Sequence, residues 1–209
     1  METRGRGAYR LLWIAALIAI GAQLAMARRP AAQPLAPVTR WTTYNWSAAS
    51  LRIACPQGWK QEQQASEWVG GQEMVISASA DDRLSIRRSP LRGAESVLML
   101  RSAAVRRRTL VDLQGEHLRS LRARWPGLTS SPTETGQVAS NFAAWCDVAY
   151  TRPAAWGGKP SRVLGKCYTI IYGDDQFWLD FFGDEQDWGR VLAPAYAHML
   201  ESLEFVQQE

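Results

Sequence analysis

The side chains able to do chemistry in this chain are few and scattered. His117 and His198 stand 81 positions apart, each on a stretch with a helical pattern. Neither has a Cys, His or carboxylate at the spacing of a metal-ligand set. Both are expected as partly exposed helix residues. Cys55 falls inside a strand-like run, without the basic neighbours or helix N-terminus that make a thiol reactive. It is expected as a buried, unpaired thiol. The acids Asp174, Asp175, Asp184, Glu185 and Asp187 are oxygen ligands of the calcium type, but not at EF-hand spacing. A turn and a helix N-terminus account for them better, because acids suit the positive end of a helix. No G-x-S-x-G, H-E-x-x-H or P-loop run occurs in the sequence. The residues therefore point to no catalytic group, no metal and no cofactor, and to a protein that is not an enzyme.

Cys146 and Cys167 are a different matter. Residues 141–152 and 162–172 are two runs rich in β-formers, and the loop between them holds Pro153, Gly157, Gly158 and Pro160. A hairpin folded symmetrically about Trp156 and Gly157 sets Cys146 directly opposite Cys167. Opposed α-carbons in an antiparallel pair lie about 4.5–5.5 Å apart, inside the roughly 4.4–6.8 Å that a disulfide spans. A Cys146–Cys167 bridge is expected. A bulge that shifted the register would instead leave two ordinary buried thiols.

Contact residues are read from charge and aromatics. Between positions 83 and 124 there are eleven Arg and three acids; between 174 and 204 there are eight acids and one Arg. The basic stretch, with Arg106, Arg107 and Arg108 at its centre, is either a face for an anionic partner or a neighbour that the acidic stretch neutralises. Nine of the ten Trp lie beyond residue 27. Most fall on strands and read as core, whereas Trp156, at a loop tip, is a partner-contact candidate. With the three Arg and one Glu of the first 27 residues set aside, 21 basic and 19 acidic residues remain. That balance gives no footprint for nucleic acid.

The elements that must carry these residues follow. Arg4, Arg6 and Arg10 precede an apolar run at 11–20, and Ala25-Met26-Ala27 supplies an A-x-A site. Residues 1–27 read as a signal peptide with Ala25 and Ala27 as its cleavage-site alanines, or as an uncleaved signal-anchor helix holding the protein to the membrane. Either way the body is exported: membrane-anchored outside the cytoplasm, or secreted or periplasmic. Residues 28–40 form a Pro/Ala-rich linker, expected to be extended. Residues 41–206 are one α+β domain. Strands are expected at 41–46, 51–55, 73–79 and 83–88, with turns at Pro56-Gln57-Gly58-Trp59, Gly70-Gly71 and Ala80-Asp81-Asp82. A helix is expected at 109–124, begun by Thr109 and Asp112 and stopped by Pro126-Gly127. A meander follows at 141–152, 162–172 and 176–182. A closing helix, capped by Asp184 or Asp187, carries Trp188, Val191, Leu192, Tyr196, Met199 and Leu200 on its apolar side, and Pro194 kinks it or marks its true start.

An aliphatic–Pro–x–Gly–Trp turn at Ile53, Pro56, Gly58 and Trp59 resembles the PsbP-like fold. So does the far end, with Phe177-Trp178-Leu179-Asp180-Phe181 before a helix and Ser202-x-x-Phe205 after it. The resemblance spans about 41–205. That fold is shared by an extrinsic photosystem II subunit, a Ran-binding nuclear import factor and many bacterial exported or lipid-anchored proteins. It implies an antiparallel sheet packed by helices, here preceded by an N-terminal hydrophobic helix. It implies no shared chemistry. The expected function is a non-enzymatic binding or assembly protein of the cell envelope. The alternative is a carrier of a small apolar or anionic ligand held between sheet and helix. Its partners are then the membrane, through an uncleaved leader, and an envelope protein or ligand that the sequence does not name.

Overall fold

The computed structural model describes residues 34–65, 71–79, 82–91, 102–154 and 159–206. Nearly all belong to one unit, Leu35–Pro153 with Pro160–Glu209. The expectations for Ala25, Ala27, Gly70 and Trp156 lie outside the described residues. No helix among the described residues is long and apolar enough to cross a membrane.

The strands are β1 (Trp41–Trp46), β2 (Leu51–Pro56), β3 (Lys60–Ala65), β4 (Gln72–Ser77) and β5 (Arg83–Pro90). Helix α1 (Ala103–Arg124) follows, then β6 (Thr129–Ser130), β7 (Glu134–Val138), β8 (Asn141–Arg152), β9 (Ser161–Tyr172) and β10 (Asp175–Asp184). A helical turn (Glu185–Asp187), a π-helical turn (Trp188–Leu192), helix α2 (Ala193–Glu201) and β11 (Glu204–Phe205) close the chain. The expected α+β class holds, and all strand pairs are antiparallel. The strands divide between two sheets, however. The larger runs β3-β4-β5-β10-β9-β8-β6, with β7 also on β8; β1, β2 and β11 form a second sheet of three. The small sheet exists because β2 has an apolar side, Leu51, Ile53 and Cys55, that needs a surface to cover.

Period-two alternation gives the large sheet two unlike faces. One row across it reads Trp145, Tyr168, Leu179, Ile86, Met74 and the next Phe181, Leu84, Ile76. This apolar face packs on the small sheet and on Leu192, Tyr196 and Met199, forming the main core. The opposite face is crossed by Cys146, Cys167, Asp180, Ser85 and Val75, then by Ala144, Thr169, Trp178, Arg87 and Glu73. Helix α1 lies over the β8 and β9 part of that face, with Leu118 and Leu121 packed near Cys146 and Cys167.

Helix α1 is longer than the sequence suggests. Ser102, not Thr109, caps it, its side chain accepting from the Val105 N–H. Thr109 bonds back to the Val105 carbonyl from within the helix. Arg106, Arg107 and Arg108 thus sit on helical turns: Arg107 and Arg108 are exposed, and Arg106 lies 4.4 Å over the Phe142 ring. Strands β3, β6, β7 and β11 are further additions. β7 joins β8 through Ala139 and Ser140 at φ of 47° and 63°, a two-residue turn of the hairpin kind without the Asn or Gly that usually announces it. At the C-terminus Asp184 caps the helical turn, accepting from the Gln186 N–H, and Pro194 stands in the first turn of α2, so it marks a start. The linker is not free throughout. Asp187 accepts from the Leu35 N–H, Arg190 donates to the Leu35 carbonyl, and the Leu35 side chain packs on the core.

Gly165 shows how tightly β9 meets β10. A Cβ there falls 2.5 Å from the Phe181 carbonyl oxygen and 2.7 Å from the Phe182 ring. The obstacle is backbone, so little can give. Gly165→Ala is expected to destabilise by about 1–3 kcal/mol, the cost of overpacking. A urea midpoint unchanged from wild type contradicts this.

Candidate functional site

Under α1 the polar face of the sheet holds a buried cluster. His117, Asp180 and Cys167 are 3%, 2% and 0% exposed, and Arg87, Gln114 and Thr169 are buried beside them. They come from four elements: His117 and Gln114 from α1, Arg87 from β5, Asp180 from β10, Cys167 and Thr169 from β9. Strand register makes the assembly. Asp180 is paired across the sheet with Cys167, and Cys167 with Cys146. Helix α1 delivers the rest, because Gln114 and His117 share the buried stripe of Leu110, Leu113, Leu118 and Leu121.

Asp180 is the hub. Its Oδ1 lies 2.6 Å from His117 Nε2, and its Oδ2 accepts from Arg87 Nη2 at 2.5 Å. An ionised carboxylate only accepts, so Nε2 carries the proton. The Cys167 thiol is a third hydrogen-bond partner. Burial would raise the Asp180 pKa; the charges of His117 and Arg87 and the bonds from His117 and Cys167 outweigh it and hold the carboxyl well below the usual range. Trp178 roofs the group: its ring stacks on His117 at 5.7 Å, with the Arg87 guanidinium 5.6 Å from its centroid. Gln114 donates to Cys146 Sγ at 3.4 Å and to the Cys167 carbonyl at 3.2 Å, and accepts from Thr169 at 2.5 Å.

The sign of the pH dependence follows from Asp180. A folded-state pKa below the unfolded one gives stability that is present above the ordinary carboxylate range, about 3.9. It is lost as pH falls from there toward the folded pKa. The stability gap between wild type and Asp180→Asn is expected to stay constant near neutrality and to narrow below about pH 4. A gap that widens on acidification contradicts the assignment.

His117, Cys167 and Asp180 each offer one ligand atom, all within 4.8 Å of one another. The expectation of an isolated, partly exposed His117 is therefore corrected: it is buried and sits beside a thiol and a carboxylate. A soft divalent cation would accept such donors, but the Arg87 guanidinium already neutralises Asp180. Nor is Cys167 set up as a nucleophile. Burial pushes its thiol well above the ordinary range, the Asp180 charge adds to this, and its bond is to Asp180. The arrangement satisfies buried polar groups, and what it does chemically is fix α1 to the sheet.

The other expected residues lie elsewhere. Cys55 is buried in the main core, its thiol raised to about 12 by burial. His198 is exposed and lies against Trp41, ring centroids 4.1 Å apart. Cys146 and Cys167 face each other in the expected register, but as free thiols. Cys146 faces the amide of Gln114 and Cys167 the carboxylate of Asp180, so each sulfur is turned to a different partner. The basic and acidic stretches do meet: Arg87 pairs with Asp180, and Arg88 with Asp175 at 2.8 Å.

Beside the cluster, Arg87 and Asp180 form part of the floor of a cleft of about 60 Å³. Its walls include Gln64, Glu73, Arg83, Ser85, Arg124 and Trp125, with Val75 and Phe182 as apolar ground. On the opposite face of the sheet, a trough of about 270 Å³ between β8–β10 and α2 is lined by Tyr168, Phe181, Trp188, Tyr196 and Leu200, with Asp147 and Lys166 beside them.

No protein-family profile matches the chain, and no curated protein sequence does. Solved structures do. The solution structure of cyanobacterial PsbP (CyanoP) from Synechocystis sp. PCC 6803 aligns with a TM-score of 0.55 at 11% identity, over 85% of this chain and 98% of that one. A Bacteroides thetaiotaomicron crystal structure aligns at 0.49 and 9% identity, over 81% and 50%. LpqN, involved in cell envelope biogenesis of Mycobacterium tuberculosis, aligns at 0.41 and 16%, over 80% and 91%. The CyanoP alignment has an identity that speaks for architecture alone, and by that architecture this chain has the PsbP-like fold.

Proposed function

We propose that this protein is an exported, non-catalytic binding or assembly factor of the cell envelope, and that it meets its partner at the cleft between β3–β5 and the C-terminal end of α1. The observation that carries the reading is the make-up of that cleft. Arg83, Arg124, Glu73, Gln64, Ser85 and the Trp125 ring surround a floor that Arg87 and Asp180 share with Val75 and Phe182. Arg and Trp are residue types enriched at contact surfaces. At about 60 Å³ the space is far below the roughly 300–1,000 Å³ of ligand pockets. It suits the edge of a macromolecular partner better than an enclosed small molecule. The basic, apolar and A-x-A order of residues 1–27 supports export.

The test is recovery of envelope proteins on tagged full-length protein, compared among wild type, Arg83→Glu and Arg124→Glu. Recovery of one discrete partner, reduced tenfold or more by either reversal, is the expected result. Equal recovery by all three forms removes the cleft from the interface. A carrier of a small apolar ligand is the second reading, and the aromatic trough beside α2 favours it. A lipid or other small molecule co-purifying with the protein, and lost on Trp188→Ala, is what that reading requires.

A further inference from the structure

We propose that Cys146 and Cys167 are a modification site: the pair is oxidised to a cross-strand disulfide while the chain folds, and the bond resets the hydrogen bonding of Asp180. Three observations carry this. The thiols are direct partners in the β8–β9 ladder, on the same face of the sheet. Opposed strand positions lie within disulfide reach. Among the described residues, the polar partners of the sulfurs are Gln114 for Cys146 and Asp180 for Cys167, both side chains and neither part of the strand ladder.

The native fold also sets the timing. Both thiols are buried beneath α1, and burial raises both above the ordinary thiol range. A thiol held protonated and covered reacts slowly. The β8–β9 hairpin is local and forms fast, so in a chain that α1 does not yet cover the two thiols are already paired and open to an oxidant. In the reaction each thiol releases its proton, the two sulfurs give up two electrons and join, and the S–S bond of an external disulfide oxidant breaks. That oxidant takes the electrons and protons to become two thiols. Oxidation removes the S–H donor from Asp180, while His117 and Arg87 remain on the carboxylate.

Refolding the reduced, denatured full chain in a mixture of oxidised and reduced glutathione tests this. Alkylation in denaturant followed by mass mapping is expected to find one reactive thiol, Cys55, and a linked peptide pair containing Cys146 and Cys167. Reduced protein already folded is expected to stay reduced in the same buffer for far longer. The bridge closes a loop of about 22 residues and should favour the folded state by roughly a hundredfold or more, raising the denaturation midpoint. The His117 imidazole resonances should differ between the two forms. Three reactive thiols after oxidative refolding, or a bridge involving Cys55, overturns the proposal. So does a bridge that lowers the midpoint, since the register would then not accommodate it. Identical His117 resonances in both forms remove the coupling to Asp180.

Discussion

Asp180→Asn is expected to destabilise the protein by roughly 3–5 kcal/mol, the cost of removing one partner from a buried ion pair. The substitution keeps the shape and removes the charge. Arg87 then stays buried with nothing to balance it, and one of the two N–H donors aimed at the carboxylate, from Arg87 or His117, faces an NH₂ group. The loss comes mainly from the stranded guanidinium, so a second variant separates charge from packing. Replacing the group together, with Arg87→Met, His117→Leu and Asp180→Leu, leaves no orphaned charge. It is expected to be neutral or stabilising by about 1–4 kcal/mol. Urea denaturation of both variants decides. If Asp180→Asn costs less than about 1 kcal/mol, Arg87 has another anion within reach and Asp180 is not the hub.

Phe181→Ala is expected to cost about the same, roughly 3–5 kcal/mol, by a different route. Phe181 is 1% exposed and stands where β10 meets α2. Its ring lies 4.9 Å from Tyr196 and 5.8 Å from Tyr168. Tyr196 in turn donates to the Phe182 carbonyl at 2.8 Å. Removing the ring opens a cavity between sheet and helix that the backbone cannot close, because the Tyr196 bond holds α2 in place. Phe181→Leu, which keeps most of the volume, should cost less than about 1.5 kcal/mol. Near-ultraviolet circular dichroism reports whether Trp188, 5.8 Å from Tyr196, loosens with the helix. A loss near 1 kcal/mol for the Ala variant means that the small sheet, and not α2, covers this part of the core.

The strands around Cys146 and Cys167 were legible because alternation and turn residues agree there. Register came out correctly because the Pro- and Gly-rich stretch between the runs marks a loop centred on Trp156 and Gly157, and a symmetric pairing about it is the simplest one. The closing helix was legible for a similar reason: Asp184, the apolar stripe and Pro194 each mark a boundary. The buried cluster was not. Its members come from β5, α1, β9 and β10, so no local spacing joins them. One signal was nonetheless present. On a helical wheel Gln114 and His117 fall inside the stripe of Leu110, Leu113, Leu118 and Leu121. A polar residue at a core-facing position asks for a buried partner. Strand β7 and the start of α1 failed differently. Ala139-Ser140 carries no turn signature, and Thr109 with Asp112 has the look of a cap although both lie inside a helix that Ser102 begins. The division into two sheets depends on stacking over long sequence distance, which no local pattern encodes.

The small sheet places its middle strand between the two ends of the domain. β2 is flanked by β1 and by β11, so Arg52 lies between Asn45 and Glu204. Arg52 and Glu204 are 152 residues apart in sequence. In synthesis from the N-terminus, β1 and β2 are made well before β11, and a two-stranded ribbon is marginal in water by itself. The sheet is therefore complete only once β11 has joined it, and a chain without β11 would leave β2 with an unpaired edge, open to pairing with another molecule.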